Sequence, residues 1–255
     1  MSMARLSGKH ALVTGGGSGT GAAIARALAE AGATVTICGR RLEALQSVAS
    51  GNQMIHAVAA DVTDETSLGN LHRHAQDARG PFQIIVSNAG MVESAPAHDT
   101  SLDLWQRTLS VNLTGAFLSV RPALRDMKRR GWGRIVFIAS TAGLRGYSYV
   151  APYVAAKHGV VGLARALAAE VAQTGVTVNA ICPGFTETPM LEASIRRIEE
   201  KTGRTGAEAR SVLAAANPQG RFIQPQQVAH AVLWLCDEES GPVTGQAISV
   251  SGGEV

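Results

Sequence analysis

Tyr153 and Lys157 stand four residues apart in "YVAAK", at the start of an Ala/Leu-rich stretch of helical period (residues 154–175). Four residues is about one helical turn, so both side chains emerge on one face. An ammonium beside a phenol favours the phenolate, and the spacing therefore predicts a tyrosine pKa brought down from about 10 toward working pH. Such a group passes a proton to and from a substrate oxygen. Upstream, the β-branched run "RIVFIAS" (134–140) ends on Ser140, whose hydroxyl would hydrogen-bond a carbonyl oxygen at the end of its strand. The chain has three tyrosines, all within "GYSYVAPYVAAK". Tyr147 and Tyr149 are followed four residues on by Ala151 and Tyr153 rather than by lysine, so spacing selects Tyr153 as the proton donor. The other two are read as pocket wall or packing.

A second constellation suits an anion. "TGGGSGTGAA" (14–23) directly follows an apolar run. Glycines at 15, 19 and 21 permit a tight turn, close approach of backbone to a pyrophosphate, and close packing of the next helix, whose N-terminus offers free N–H groups. Gly15, Gly17, Ser18, Gly19, Thr20 and Gly21 are the expected cofactor contacts here. The next strand ends "ICGRRLEAL": no carboxylate for a ribose 2′-hydroxyl, and Arg40 and Arg41 beside the turn. A guanidinium there favours NADP(H) over NAD(H), with NAD still open because solvated arginines at a helix start would look the same. In "AADVTD", Asp61 is placed to accept from an adenine amino group, next to Val62, while Asp64 is the better helix cap.

These groups need a scaffold that brings distant segments to one edge. Short apolar runs at 11–14, 34–38, 54–60, 83–87, 134–140, 176–182 and 247–251 read as strands buried on both faces, alternating with helical segments such as 21–32. That pattern predicts an α/β fold, a doubly wound parallel sheet of Rossmann type with ligands at the carboxyl ends of its strands. No linker composition or internal repeat interrupts it, so one domain spanning 1–255 is expected. Residues 189–222 break the rhythm, polar and helical, and suit a substrate lid.

Taken together, these motifs resemble the classical short-chain dehydrogenase/reductases nearly end to end. "TGGGSGTG" is similar to the family's TGxxxGxG, "SNAG" (87–90) to NNAG with Ser87 in place of its first asparagine, and "YVAAK" to YxxxK. "VNLTG" supplies Asn112, and "PGFTETPM" (183–190) is similar to the segment that touches nicotinamide. The resemblance implies a catalytic tetrad of Asn112, Ser140, Tyr153 and Lys157: Tyr153 the acid in reduction and base in oxidation, Ser140 orienting the carbonyl, Lys157 tuning Tyr153 and binding ribose, and Asn112 holding a relay water. It also implies cofactor contacts from Asn88, Ala89, Gly90, Pro183, Gly184, Thr186 and Thr188, besides Tyr153 and Lys157. Finer motifs ("APYVAAKHGVVG", "TVNAICPGFTETPM", "GRFIQPQQVA") resemble ketoreductases of 3-oxoacyl thioesters, although "NAGMVESAP" lacks the glycine-rich stretch of the polyketide enzymes. Arg196, Arg197, Lys201, Arg204, Arg210 and Arg221 could meet the phosphates of coenzyme A or an acyl-carrier phosphopantetheine, or simply form solvated helix faces. A small cyclic, aromatic or sugar alcohol is the alternative substrate. The final strand resembles the family's subunit-contact edge, which implies a homotetramer.

Other classes fit less well. A dinucleotide-binding redox sensor would have lost Tyr153, Lys157 or Ser140, and a sugar-nucleotide epimerase would be expected to carry a longer substrate domain. Net charge is +3 with the bases scattered, apart from clusters such as "RDMKRR", which read as a helix end; no nucleic-acid partner is expected. Three cysteines in apolar settings and no apolar leader or run of about 18 residues predict free thiols in a cytoplasmic protein without a membrane span. His72 and His74, two apart, point away from one another on a helix and are read as surface residues, not a metal pair, and no metal site is expected. Trp105, Trp132 and Trp234 are read as packing.

Overall fold

In the computed structural model, which describes residues 5–255, seven parallel strands form one sheet in the order β3-β2-β1-β4-β5-β6-β7. The first four residues, on which part of the reading against a leader rests, lie outside the described residues. The strands are β1 (His10–Thr14), β2 (Thr34–Gly39), β3 (Ile55–Ala59), β4 (Ile84–Ser87), β5 (Gly133–Ile138), β6 (Val176–Pro183) and β7 (Ala247–Val250). Each falls within two residues of an expected run. The helices are α1 (Gly19–Glu30), α2 (Leu42–Ala49), α3 (Glu65–Arg79), α4 (Leu102–Leu109), α5 (Gly115–Arg130), α6 (Ala151–Val171), α7 (Pro189–Thr202), α8 (Gly206–Ala214) and α9 (Pro225–Cys236).

The central strands β1, β4, β5 and β6 are buried along their whole length, which is why they read as unbroken apolar runs rather than alternating ones. Two cores flank the sheet. One packs α1 and α9 through Ile24, Leu28, Val228 and Val232 against Val13 and Ile37; the other packs α5 and α6 through Val120, Met127, Val160 and Ala164 against Leu12, Ile135 and Phe137. Parallel pairing puts the carboxyl ends of all seven strands on one edge. The order reverses between β1 and β4, opening a crevice at that edge.

Residues 189–222 form α7 and α8 with a small core of their own, Leu191, Ile195 and Ala209 with Phe185, Ile198, Leu213 and Phe222 packed against it. Thr205 and Glu208 start α8 with a reciprocal capping box. Asp64 caps α3 through Thr66 and Ser67 N–H, in the role the sequence assigned it over Asp61. Cys38, Cys182 and Cys236 are free and buried, and burial raises their thiols to about 12, 11 and 12. None of the helices is long and apolar enough to cross a membrane among the described residues.

Two expectations fail. His72 is buried rather than a surface residue: it lies under α5, with Nε2 3.1 Å from the Ser119 carbonyl and its ring edge-on to Phe82. Its apolar surroundings bring its pKa down to about 4. Trp105 and Trp234 are not packed inside but 37% and 49% exposed; only Trp132 is partly buried, between Lys9 and Arg134. No group of His, Cys, Asp or Glu suited to a metal occurs among the described residues.

Candidate active site

Every strand that lines the crevice delivers one part of the site at its carboxyl end. β5 runs out through Ala139 into Ser140, which adopts an extended backbone and caps the short turn Thr141–Gly143 by accepting from Ala142 N–H at 3.1 Å. That turn lies directly on α6, because a Cβ on Gly143 would stand 2.8 Å from the Lys157 carbonyl oxygen. The chain then reverses through Tyr149, held at φ 67°, and enters α6 with Pro152 in its first turn. A bulky residue at positive φ is strained, and here the strain accompanies a bend at the mouth of the crevice. Its carbonyl is tied to Ala95 N–H at 2.8 Å.

These contacts bring Tyr153 and Ser140 together at the sheet edge, and the serine hydroxyl bears on the phenol. Desolvation pushes the phenol above its ordinary value of 10, and the nearby Ser140 hydroxyl pulls the other way. The expected lowering by Lys157 is therefore corrected. The lysine is itself buried and brought down to about 8, and its Nζ donates to the Ile138 carbonyl at 2.8 Å, 5.5 Å from the centre of the tyrosine ring. Burial outweighs the neighbouring cation because both groups leave water together.

Asn112 sits in a single wide turn of π-helix, Ser110–Thr114, between α4 and α5, where Gly115 N–H reaches back to the Ser110 carbonyl. Such turns are frequent at functional sites. Its side chain makes three bonds: Nδ2 donates to the carbonyls of Met91 and Thr108, both at 2.9 Å, and Oδ1 accepts from Met91 N–H at 3.3 Å. A Cβ on Gly90 would lie 2.9 Å from Asn112 Oδ1 and 3.8 Å from Lys157 Nζ, so Gly90, Asn112 and Lys157 converge. The Asn112 side chain thus holds the segment after β4 in place.

The residues at the switch point fit a dinucleotide. Gly15 has φ 65°, and a Cβ on it would lie 2.9 Å from both the Ala89 Cα and Asn88 Nδ2. A Cβ on Gly21 would lie 2.3 Å from the Gly15 carbonyl oxygen. Only glycine lets this turn close on the start of α1. Ser18, the residue before α1, makes no capping bond, and no acidic residue occupies the first turn, so its N–H groups stay available to an anion. Thr188 starts α7 and packs against Gly19, a Cβ on which would be 3.0 Å from the threonine methyl. Thr186 donates to the Gly184 carbonyl at 2.9 Å, fixing the bend that follows Pro183. Val62 is buried against Gly115. Asp61 Oδ1 accepts from Thr63 N–H at 2.9 Å and Thr63 Oγ1 at 2.8 Å, bonds that hold its carboxyl below the usual range, with Arg40 adding a smaller pull. Arg40 and Arg41 are exposed.

Two features escaped the sequence reading. Gly16 was not among the expected contacts, yet a Cβ on it would lie 2.6 Å from the Ile37 Cβ, while one on Gly17 would meet nothing closer than 3.4 Å. Thr14 is the bridge between β1 and β4. Its hydroxyl accepts from Asn88 N–H at 2.9 Å and Ala89 N–H at 3.0 Å, and its carbonyl takes Asn88 Nδ2 at 2.9 Å. This joint runs through Thr14 and Asn88 rather than through Ser87. The basic side chains of residues 196–221 are divided: Arg210 pairs with Glu187 and Glu192, Arg197 with Glu93 at 3.2 Å, and Arg221 contacts Gln219 and Gln227. Arg196, Lys201 and Arg204 are exposed.

Residues 9–199 match the family model described as short chain dehydrogenase. The chain is 37% identical over 254 residues to the D-beta-hydroxybutyrate dehydrogenase of Rhizobium meliloti (strain 1021), covering 96% of this chain and 98% of that one. It is equally 37% identical over 254 residues to the 3-oxoacyl-acyl-carrier-protein reductase FabG of Aquifex aeolicus (strain VF5), covering 98% of each. A crystal structure of an actinorhodin polyketide ketoreductase variant with NADPH superposes with a TM-score of 0.93 at 37% identity, over 96% of this chain and 97% of the other. With this sheet order, glycine turn and Ser140–Tyr153–Lys157 cluster, the chain belongs to the short chain dehydrogenase family of nicotinamide-dependent oxidoreductases.

Proposed function

We propose that this enzyme reduces the ketone of a 3-oxoacyl thioester, using NADPH in preference to NADH. The observation that carries the reading is the Ser140–Tyr153–Lys157 cluster beside an uncapped glycine-rich helix start at the sheet's switch point. The substrate class is supported by the relatives, whose names share an oxygen function at the carbon beta to a carboxyl-level carbon.

When bound, the dinucleotide supplies the hydride. Ser140 donates a hydrogen bond to the carbonyl oxygen and Tyr153 delivers the proton to it, returning to the phenol form by proton uptake through the crevice. A raised phenol pKa keeps Tyr153 protonated at neutral pH, as a general acid for reduction must be. Lys157 donates into the ribose region from a buried ammonium, and Asn112 positions the Met91 and Gly90 backbone that faces it. Gly15, Gly17, Ser18, Gly19, Thr20 and Gly21 would hold the pyrophosphate. Asp61 and Val62 flank the adenine, Arg40 meets the 2′-phosphate, and Asn88 to Gly90 with Pro183, Gly184, Thr186 and Thr188 border the nicotinamide half. The chain is read as one domain, with α7 and α8 as its lid and their separate small core allowing them to move as a unit. Exposed Trp105, Phe117 and Trp234 support assembly into a homo-oligomer.

The test is initial rates with NADPH and NADH against acetoacetyl-CoA, a simple aryl ketone and a cyclic ketone. Acetoacetyl-CoA with NADPH is expected to give the highest kcat/KM. Turnover of the cyclic ketone without turnover of acetoacetyl-CoA would refute the substrate class, and the enzyme would then act on a small cyclic alcohol or ketone.

A further inference from the structure

Tyr147, seven residues after Ser140, spends its hydroxyl on two partners: Thr141 Oγ1 at 2.7 Å and Glu254 Oε1. A phenol has one proton and an ionised carboxylate can only accept. The proton of Tyr147 therefore goes to Glu254, and the Thr141 hydroxyl donates to Tyr147. This chain fixes Oε1 and leaves Oε2 buried with no partner. The orphan oxygen lies at the carboxyl edge of the sheet, 3.0 Å from where a Cβ on Gly184 would sit. Gly184 directly follows β6, and Thr141 directly follows Ser140, so the carboxylate stands between the two strand ends that border the site. Glu254 belongs to none of the ion pairs among the described residues. The nearby cation, Arg145, stacks over the Tyr147 ring at 5.1 Å instead. The Tyr147 ring in turn meets Phe185 edge-on, with centroids 6.3 Å apart.

A carboxylate acts on charges several ångströms away without touching them. We propose that Glu254 is a specificity-determining residue of this cleft: its negative charge excludes ketone substrates that carry a free carboxylate and leaves the corresponding neutral esters and thioesters accepted. The inference rests on the oxidoreductase reading of the site and separates two classes the relatives leave side by side, the free beta-hydroxy acid and the acyl thioester.

The experiment compares acetoacetate with methyl acetoacetate, and 4-oxocyclohexanecarboxylate with its methyl ester, in the wild type, Glu254→Gln and Glu254→Asp. The quantity read is the ratio of kcat/KM for anion to ester within each protein. Loosening of the fold lowers both members of a pair and leaves this ratio alone. The ratio should be well below one in the wild type, rise about tenfold in Glu254→Gln through KM for the anion, and stay near the wild-type value in Glu254→Asp. A wild type that takes the anion as readily as the ester, or an unchanged ratio in Glu254→Gln, overturns the proposal. The cyclic pair reads the charge effect even if acetoacetyl-CoA and the acyclic pair are not turned over. That result would sink the thioester assignment and leave the role of Glu254 decided separately.

Discussion

Lys157→Met should make the dinucleotide-free protein more stable and nearly inactive. The lysine is 4% exposed, and burial brings its pKa from 10.5 to about 8. At pH 7, below both values, the fold holds an ammonium it would rather release, at a cost of roughly 3 kcal/mol, since each pKa unit is about 1.4 kcal/mol. Methionine removes that cost at similar volume. Against this, the Ile138 carbonyl loses its 2.8 Å donor, which costs about 1–2 kcal/mol. The net gain is about 1–2 kcal/mol, a rise in Tm of roughly 2–8 °C for a chain of this size. The pH dependence follows from the direction of the shift. Above the folded pKa of about 8, the native lysine is neutral while the unfolded one still binds a proton up to about 10.5, so wild-type stability rises across that window. The advantage of Lys157→Met is thus full below pH 8 and fades toward pH 10.5. Thermal melts of both proteins from pH 6 to 10.5 decide the matter. A variant that melts below the wild type at pH 7, or an advantage independent of pH, would refute the reasoning.

Tyr153→Phe should lower kcat by about 10²- to 10⁴-fold while NADPH binding, followed by fluorescence titration, stays within a few-fold; retained turnover would remove the tyrosine from the chemistry. Arg40→Asp should weaken NADPH by about 10- to 100-fold and NADH far less, because only NADPH carries the 2′-phosphate; equal losses would show that Arg40 does not read it. His72 has a folded pKa of about 4 against 6.5 unfolded, so the unfolded chain binds the extra proton between those values and stability falls as pH drops from 6.5 to 4. His72→Leu should flatten that acid limb, by up to roughly 3 kcal/mol in denaturant titrations at pH 4 relative to pH 7.

The centre of the sheet was legible because β1, β4, β5 and β6 are buried on both faces and read as unbroken apolar runs. The edge strands β3 and β7, expected to be buried as well, are only partly so and were marked by their β-branched residues and the helical periods beside them. The glycine turn was legible too, but not each glycine's reason. The constraint at Gly16 comes from Ile37 across the sheet, and spacing along the chain cannot express a cross-strand contact. His72 was misread for the same kind of reason. Its polar neighbours in "LHRHAQ" describe α3 alone, whereas its burial is decided by α5, whose Ser119 carbonyl receives the ring. Glu254 was invisible: Tyr147, which donates to it, and Gly184, beside its second oxygen, lie far from it in sequence, and no local pattern joins them.

The Tyr153–Lys157 pair shows where a correct spacing rule still gives an incomplete electrostatic one. Four residues on a helix do bring the side chains to one face, but the rule treats the ammonium as a fixed charge in water. In the folded protein both groups are desolvated, so the phenol rises above 10 and the ammonium falls to about 8, the reverse of the lowered phenol and raised ammonium that a salt-bridge picture would give. A lysine brought down to about 8 that donates to a backbone carbonyl is held in place first and charged second. The acid strength of Tyr153 is then set mainly by its burial and by Ser140, which makes Ser140→Ala the change that should move the pH profile of reduction. Without that hydroxyl the one opposing pull on the phenol is gone, so the basic limb of kcat/KM, where a protonated Tyr153 is required, should shift to higher pH as activity falls. A basic limb that stays in place would mean that Ser140 serves the substrate alone.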